Sequence, residues 1–140
     1  MRDAFERFQV PAAVAVGGAI GSLGRYAISN LLPGTSFPTA TFLTNVVGCF
    51  SLGVVLVLGE VVGRHRGHHH HRQPAWLRLW RPFMATGILG GFTTFSTLVL
   101  EMTMIDSMLA AVYCVSSIVL GVLAYVVGNR VAREMFAVRA

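Results

Sequence analysis

Apolar residues in this chain fall into four runs, each as long as the roughly 20 residues a helix needs to cross the hydrocarbon core of a bilayer. They extend from Val10 to Leu32, Pro38 to Val62, Pro82 to Met104 and Ser107 to Gly128. Two of the connections are short turns, marked by "PGTSFP" and by Asp106. The third, "GRHRGHHHHRQPAWLRLWR" at 63–81, is the one sizeable hydrophilic loop. The pattern predicts an all-α membrane protein, a single four-helix transmembrane unit occupying residues 1–140.

Composition agrees: 54% of the 140 residues are hydrophobic and 12% charged, too little polarity to clothe a soluble domain. The amino terminus, "MRDAFERFQV", carries Asp3 and Glu6 and leads into a glycine-rich stretch with no evident cleavage site, so no removable signal peptide is expected. Cys49 and Cys114 each fall inside a span, where thiols act as small packing groups; neither a disulfide nor a redox role is expected.

All 11 basic residues are arginine, and their placement says more than their number. With a cytoplasmic amino terminus, the inner side holds Arg2, Arg7, Arg64, Arg66, Arg72, Arg78, Arg81, Arg130, Arg133 and Arg139, leaving Arg25 alone outside. Such a bias predicts one orientation, with both termini and the central loop in the cytoplasm. Nucleic-acid binding is not expected. The run His68 to His71 is too crowded, in a loop, to close a tetrahedral metal site without partners from elsewhere, so a solvated loop is the reading. Trp76 and Trp80 suit interfacial anchors before the third span.

Within the spans, Ala13, Gly17 and Gly21 repeat at a four-residue step, and Gly48, Gly53, Gly121 and Gly128 continue the theme; small residues let helix backbones approach closely. Polar groups stand out against this background. Asn45 must face protein or water, as interhelical glue or as part of a pathway. Tyr113, Ser116 and Ser117 can return their hydroxyls to their own helix. Arg25 can snorkel or place positive potential at the mouth of an anion route. Glu101 can pair with an arginine, cap backbone amides or mark a proton or cation site.

The third run is the least ordinary. In "GGFTTFSTLVLE" at 90–101, glycines precede the β-branched Thr93 and Thr94, a combination that favours interruption of the helix. Irregular backbone at membrane depth survives only inside protein or beside water, where its unpaired groups can bind ions; a glycine-kinked packing helix is the plainer alternative. Hydroxyls of Thr93, Thr94, Ser96 and Thr97, the Asn45 amide, and the ring edges of Phe50, Phe92 and Phe95 are donors or electropositive rims suited to a dehydrated anion. Clusters of the kind that carry catalysis are absent, which argues against an enzyme.

Three motifs resemble the Fluc, or CrcB, fluoride channels of bacteria: "GGAIGSLGRY" at 17–26, "NVVGCFSLG" at 45–53 and "GILGGFTTFSTLVLE" at 87–101. The resemblance implies an antiparallel dimer of four-helix subunits, the third helix of each broken mid-membrane, with two fluoride pathways and a structural Na+ on the dimer axis. It matches Gly90 and Thr93 to backbone-carbonyl ligands of that sodium. It matches Asn45 to the pore amide, Phe95 to the first ring of a phenylalanine pair, and Thr94, Ser96 and Thr97 to the surrounding hydroxyls. Arg25 matches a vestibule arginine, Glu101 the glutamate closing the motif, and Tyr113 and Ser117 pore positions on the fourth helix. Leu98 stands where the second phenylalanine is usual, Ala40 where a glycine is, and Cys49 where a serine is; leucine offers no polarised ring edge, so one route is expected to be impaired.

The arginine bias bears on assembly. A chain that inserts both ways round to form an antiparallel homodimer needs little bias, so the expected partner is a homologous subunit of opposite orientation, a homodimer being the alternative. The expected role is passive fluoride export across the bacterial cytoplasmic membrane, giving resistance to fluoride. Its rivals are a small multidrug-type proton-coupled transporter, which requires a carboxylate that the first span lacks, and a non-conducting membrane scaffold.

Overall fold

The computed structural model describes residues 2–32, 36–64 and 75–137, so the His68–His71 run lies outside the described residues. All regular structure among them is helical. α1 (Arg2–Leu31) and α2 (Thr39–Arg64) are long and continuous. α3 (Ala75–Arg81) runs into a π-helical stretch (Pro82–Leu89) and then a single turn, α4 (Gly90–Phe92). After Thr93 and Thr94 the chain resumes as α5 (Ser96–Met102), and α6 (Ser107–Ala137) completes it.

Three stretches of the described residues are long and apolar enough to cross a membrane: Thr39–Gly63, Arg78–Met102 and Ser107–Phe136. α1 is longer than any of them needs to be, at 30 residues, but its glycines and Arg25 dilute its apolar character. Several boundaries differ from the sequence expectation. Part of the segment read as the loop 63–81 is helix, because α2 reaches Arg64 and α3 begins at Ala75. The last helix continues past Gly128 to Ala137, since Asn129 to Phe136 contain neither proline nor glycine to stop it.

The helices form two pairs. α1 lies along the π-helical stretch and α4, with Gly17 against Gly87, Gly18 against Gly91, and Gly21 against Ile88 and Phe92. α2 lies along α6, with Gly53 against Tyr125 and Asn129, and Gly128 against the backbone of Phe50. Contacts rise in the same residue order in both pairs, so the helices within each pair run parallel. Glycine is required at these crossings because backbone meets backbone: a methyl on Gly91 would sit 2.9 Å from Gly18 Cα, and one on Gly87 would sit 3.0 Å from Gly17 Cα. At one end of the α2–α6 pair, Arg133 donates Nε to Asn129 Oδ1 at 2.8 Å and pairs with Glu60 at 3.2 Å. Both partners of that ion pair are exposed, so it contributes little.

Burial is inverted relative to a water-soluble protein. The fully buried side chains are few, led by Tyr113 and Thr44, whereas Val16, Ile20 and Leu23 of α1 and Val112, Val115, Val119 and Leu123 of α6 are exposed. An apolar periphery around a small, partly polar interior is what lipid as the solvent demands.

The glycine contacts generate a paired prediction. Gly91→Ala forces its methyl into the Gly18 backbone and lowers stability by about 1–3 kcal/mol or more, as overpacking does. Gly63→Ala meets nothing within 4 Å and leaves stability unchanged or slightly raised. Thermal unfolding of the two variants in detergent separates them; equal effects would contradict the packing described.

Candidate functional site: a cavity at a helix interruption

The chain leaves helical geometry at Thr93, where φ is −81° and ψ is 157°. Side chains take over the backbone groups released there. Thr93 turns both its N–H and its Oγ1–H back to the Leu89 carbonyl, at 3.0 and 2.9 Å, closing the end of α4. Asn45 of α2 then pairs with Thr94 as one peptide group pairs with another. Its Oδ1 accepts the Thr94 N–H at 2.8 Å and its Nδ2 donates to the Thr94 carbonyl at 2.9 Å. Thr94 Oγ1 in turn accepts the Thr97 N–H at 3.2 Å, capping the start of α5.

These bonds divert donors from two carbonyls. In an uninterrupted helix the Thr94 N–H would serve Gly90 O and the Thr97 N–H would serve Thr93 O. Here the first goes to Asn45 and the second to the Thr94 hydroxyl. Gly90 and Thr93 both border the cavity described below, and Gly90 is exposed. Two carbonyls released in this way are hard, neutral oxygen donors, chemically suited to an alkali cation. Among the described residues no cluster of His, Cys, Asp or Glu could hold a metal instead.

A hydroxyl chain continues from the break. Thr94 Oγ1 donates to Thr97 Oγ1 at 2.9 Å and lies 3.3 Å from Ser96 Oγ. Arg25 reaches the same Thr97 hydroxyl through Nη1 at 3.4 Å. Its guanidinium thereby leans on α5, tying α1 to the segment after the break. Gly48 completes the setting, because a Cβ there would collide with the Thr93 methyl.

The cavity beside the break has a volume of about 410 Å³. α2 contributes Asn45, Gly48, Cys49 and Leu52; the interrupted helix contributes Gly90, Thr93, Thr94, Phe95 and Leu98; Ser117 and Gly121 of α6 face them. Phe95 is 70% exposed and stands at the rim, whereas Leu98 is only 3% exposed and is packed into the wall. Neither Phe50 nor Phe92 is among the lining residues; the Phe92 ring lies 3.6 Å from where a Cβ on Gly24 would stand. Ser116 and Ser117 of α6 behave differently. Ser116 returns its hydroxyl to Tyr113 O at 3.2 Å, whereas the Ser117 hydroxyl is buried, 6% exposed, and has no hydrogen-bond partner. A buried hydroxyl without a partner costs about 1–3 kcal/mol, and Ser117 is one of the residues that border the cavity.

A second polar cluster lies farther along the same helices. Glu101 accepts Thr41 Oγ1–H at 2.8 Å through Oε1 and Tyr113 O–H at 2.7 Å through Oε2. Phe37 stacks edge-on against the Tyr113 ring, centroids 5.3 Å apart. Tyr113 is wholly buried, so this carboxylate is held by two hydroxyls rather than by an arginine. Thr41 is the participant that sequence reasoning missed. The signal was present: Thr41, Asn45, Cys49 and Leu52 are spaced as one face of α2.

Removing the Asn45 amide tests the arrangement. Asn45→Leu keeps side-chain bulk but leaves the Thr94 N–H and carbonyl unpaired, for a loss of about 1–3 kcal/mol, read as a lowered thermal midpoint in detergent. An unchanged midpoint would mean that Asn45 does not hold the interruption open.

Comparison with known proteins agrees with the chain's own geometry. The family model described as "CrcB-like protein, Camphor Resistance (CrcB)" matches residues 12–129, which takes in every residue of the cavity. Fluoride-specific ion channel FluC 2 of Nocardia farcinica is 43% identical over 129 residues, covering 86% of this chain and 83% of the relative. Fluoride-specific ion channel FluC of Paracoccus denitrificans is 38% identical over 131 residues, covering 89% and 94%. That of Agrobacterium fabrum is 37% identical over 132 residues, covering 89% and 97%. With a cavity at a helix interruption, an apolar periphery and these matches, the chain belongs to the CrcB family.

Proposed function

We propose that the chain is a subunit of a fluoride-selective channel, an ion channel rather than an enzyme, that releases cytoplasmic fluoride passively across the bacterial inner membrane. The observation that carries this reading is the cavity at the helix interruption. There Asn45, Thr94, Ser117 and Phe95 border one space. Hydroxyl and amide hydrogens replace the hydration of a small anion, and a ring edge adds an electropositive rim. An interior-negative potential drives an anion outward with about 2.3 kcal/mol per charge per 100 mV, so no ATP or coupled proton is required. Fluoride that enters as neutral HF dissociates in the cytoplasm and is trapped until a channel releases it. That the named relatives are fluoride-specific ion channels supports this choice of anion.

In this reading α1 is the fourth span, the interruption at Thr93 lies at mid-membrane, and both termini face the cytoplasm. The subunit pairs with another of opposite orientation. The exposed Gly90 and Phe95 support a partner on the open side of the cavity, and the ten-to-one arginine distribution supports a homologue rather than a second copy. The released carbonyls of Gly90 and Thr93 would hold a structural sodium at that interface; such an ion supplies positive charge that fixes two broken helices against each other. Arg25 and the hydroxyls of Ser96 and Thr97 line the approach, and Tyr113, Ser117 and Glu101 continue the polar route along α6. The buried Leu98 leaves one wall without a ring edge. Proton-coupled drug transport is disfavoured because the described interior of α1 presents no acidic side chain in its apolar run.

Vesicles loaded with fluoride and containing the purified chain, with and without an oppositely oriented relative, test the reading. Fluoride is expected to leave far faster than chloride, and faster with the relative present. Release equal with and without it would return the assembly to a homodimer, and no fluoride release in either arrangement would overturn the function. Replacing sodium by a large organic cation throughout is expected to slow release; an unchanged rate would remove sodium from the assembly.

A further inference from the structure

Arg81 holds a position that neither the cavity nor the helix interruption uses. Its stem lies across α2 at the point where Gly59 has no side chain: Cδ stands 3.0 Å, and Cγ and Nε 3.1 Å, from where a Cβ on Gly59 would be. The residue is nonetheless exposed, makes no side-chain cap for the π-helical stretch it precedes, and has no hydrogen-bond or ion-pair partner for its guanidinium among the described residues. Arg25 and Arg133 differ in this respect, since the first reaches Thr97 and the second is taken up by Glu60 and Asn129.

The level of Arg81 in the membrane follows from its neighbours. The apolar stretch of α2 ends at Gly63, four residues beyond Gly59, so at 1.5 Å per residue the Arg81 stem crosses α2 about 6 Å inside that end. The apolar stretch to which Arg81 itself belongs starts one turn earlier, at Arg78. Trp80, half-buried, immediately precedes it, and tryptophan settles at the depth of lipid headgroups. A charge without a counterion at the edge of hydrocarbon is costly, and the anion native to that depth is the phosphate of a phospholipid.

The chemistry selects among lipids. A guanidinium presents a planar fork that takes two phosphate oxygens at once, and a stem already seated on Gly59 has less freedom to lose on binding. A zwitterionic lipid offers a phosphate compensated by its own ammonium, whereas an anionic lipid offers one that is not. We propose that Arg81, seated on Gly59, binds the phosphodiester of an anionic phospholipid in the leaflet at this end of the helices. The acyl chains lie against the apolar periphery, and the site does not depend on which ion the cavity passes.

The test offers the purified full chain in detergent equal amounts of dioleoyl phosphatidylglycerol and dioleoyl phosphatidylcholine, and native mass spectrometry reads the ratio in which they are retained. The expected ratio is about fivefold in favour of phosphatidylglycerol, the worth of one arginine at a membrane surface. Arg81→Gln is expected to abolish the preference, and Arg81→Lys to keep only part of it, because an ammonium lacks the two-pronged fork. Arg133→Gln removes the same charge beside Glu60, the residue next to Gly59, and is expected to keep the preference. The proposal is overturned by equal retention of the two lipids, by a preference that survives Arg81→Gln, or by an equal loss in Arg133→Gln, which would mean diffuse attraction rather than a site. Displacement of the bound lipid by an equal concentration of glycerol 3-phosphate would assign Arg81 to a soluble phosphate. A subunit pair that carries no lipid yet needs Arg81 to assemble would assign it to an acidic group of the partner. Either result also overturns the lipid site.

Discussion

The structure depends on one side chain behaving as a peptide group. Asn45 offers a donor and an acceptor in the geometry of a backbone amide, and Thr94 uses both. In an apolar surrounding an unpaired N–H or C=O costs far more than in water, so a chain cannot leave helical geometry there unless something replaces the lost bonds. Asn45 replaces those of Thr94; the hydroxyls of Thr93 and Thr94 serve the flanking helix ends. The interruption is thus a fully partnered alternative to helix at Thr94, and its by-product is a pair of carbonyls, on Gly90 and Thr93, relieved of their usual donors.

Around that point the glycines act in two distinct ways. Gly17, Gly18 and Gly21 meet Gly87 and Gly91 so that α1 touches the interrupted helix backbone to backbone. Association in lipid lacks a hydrophobic driving force and relies on such close packing. Gly48, by contrast, withholds a side chain where the Thr93 methyl needs space. Tight contact on one side of the interrupted helix and withheld volume on the other leave a cavity beside the break.

Much of this could be read from residue order, and the reasons differ by feature. The glycines before Thr93 and Thr94 locate where regular helix stops at Phe92, because local propensity acts within a few residues. Asn45 was recognisable as needing a partner, but not that its partner would be the Thr94 backbone 49 residues away, since pairing across helices is set by tertiary register. For the same reason Thr41 escaped notice beside Glu101, and residue order did not show that Arg25 reaches Thr97. The helix at Ala75–Arg81 was hidden in a segment whose charge resembles a loop, and the π-helical winding over Pro82–Leu89 leaves no local signature. Burial of Leu98 and exposure of Phe95 likewise follow from which way the chain turns after the break, a property no single residue carries.

The most direct measurement of the central claim is the backbone conformation of Thr93 in a lipid bilayer, obtained from solid-state NMR chemical shifts with threonine labelled at Cα and Cβ. Extended geometry moves the Thr93 Cα resonance upfield and Cβ downfield of their random-coil positions, flanked by helical shifts through Phe92 and from Ser96 onward. Helical shifts running without interruption from Gly90 to Met102 would contradict the account, because Thr94 would then have no need of Asn45 and no carbonyl would be released.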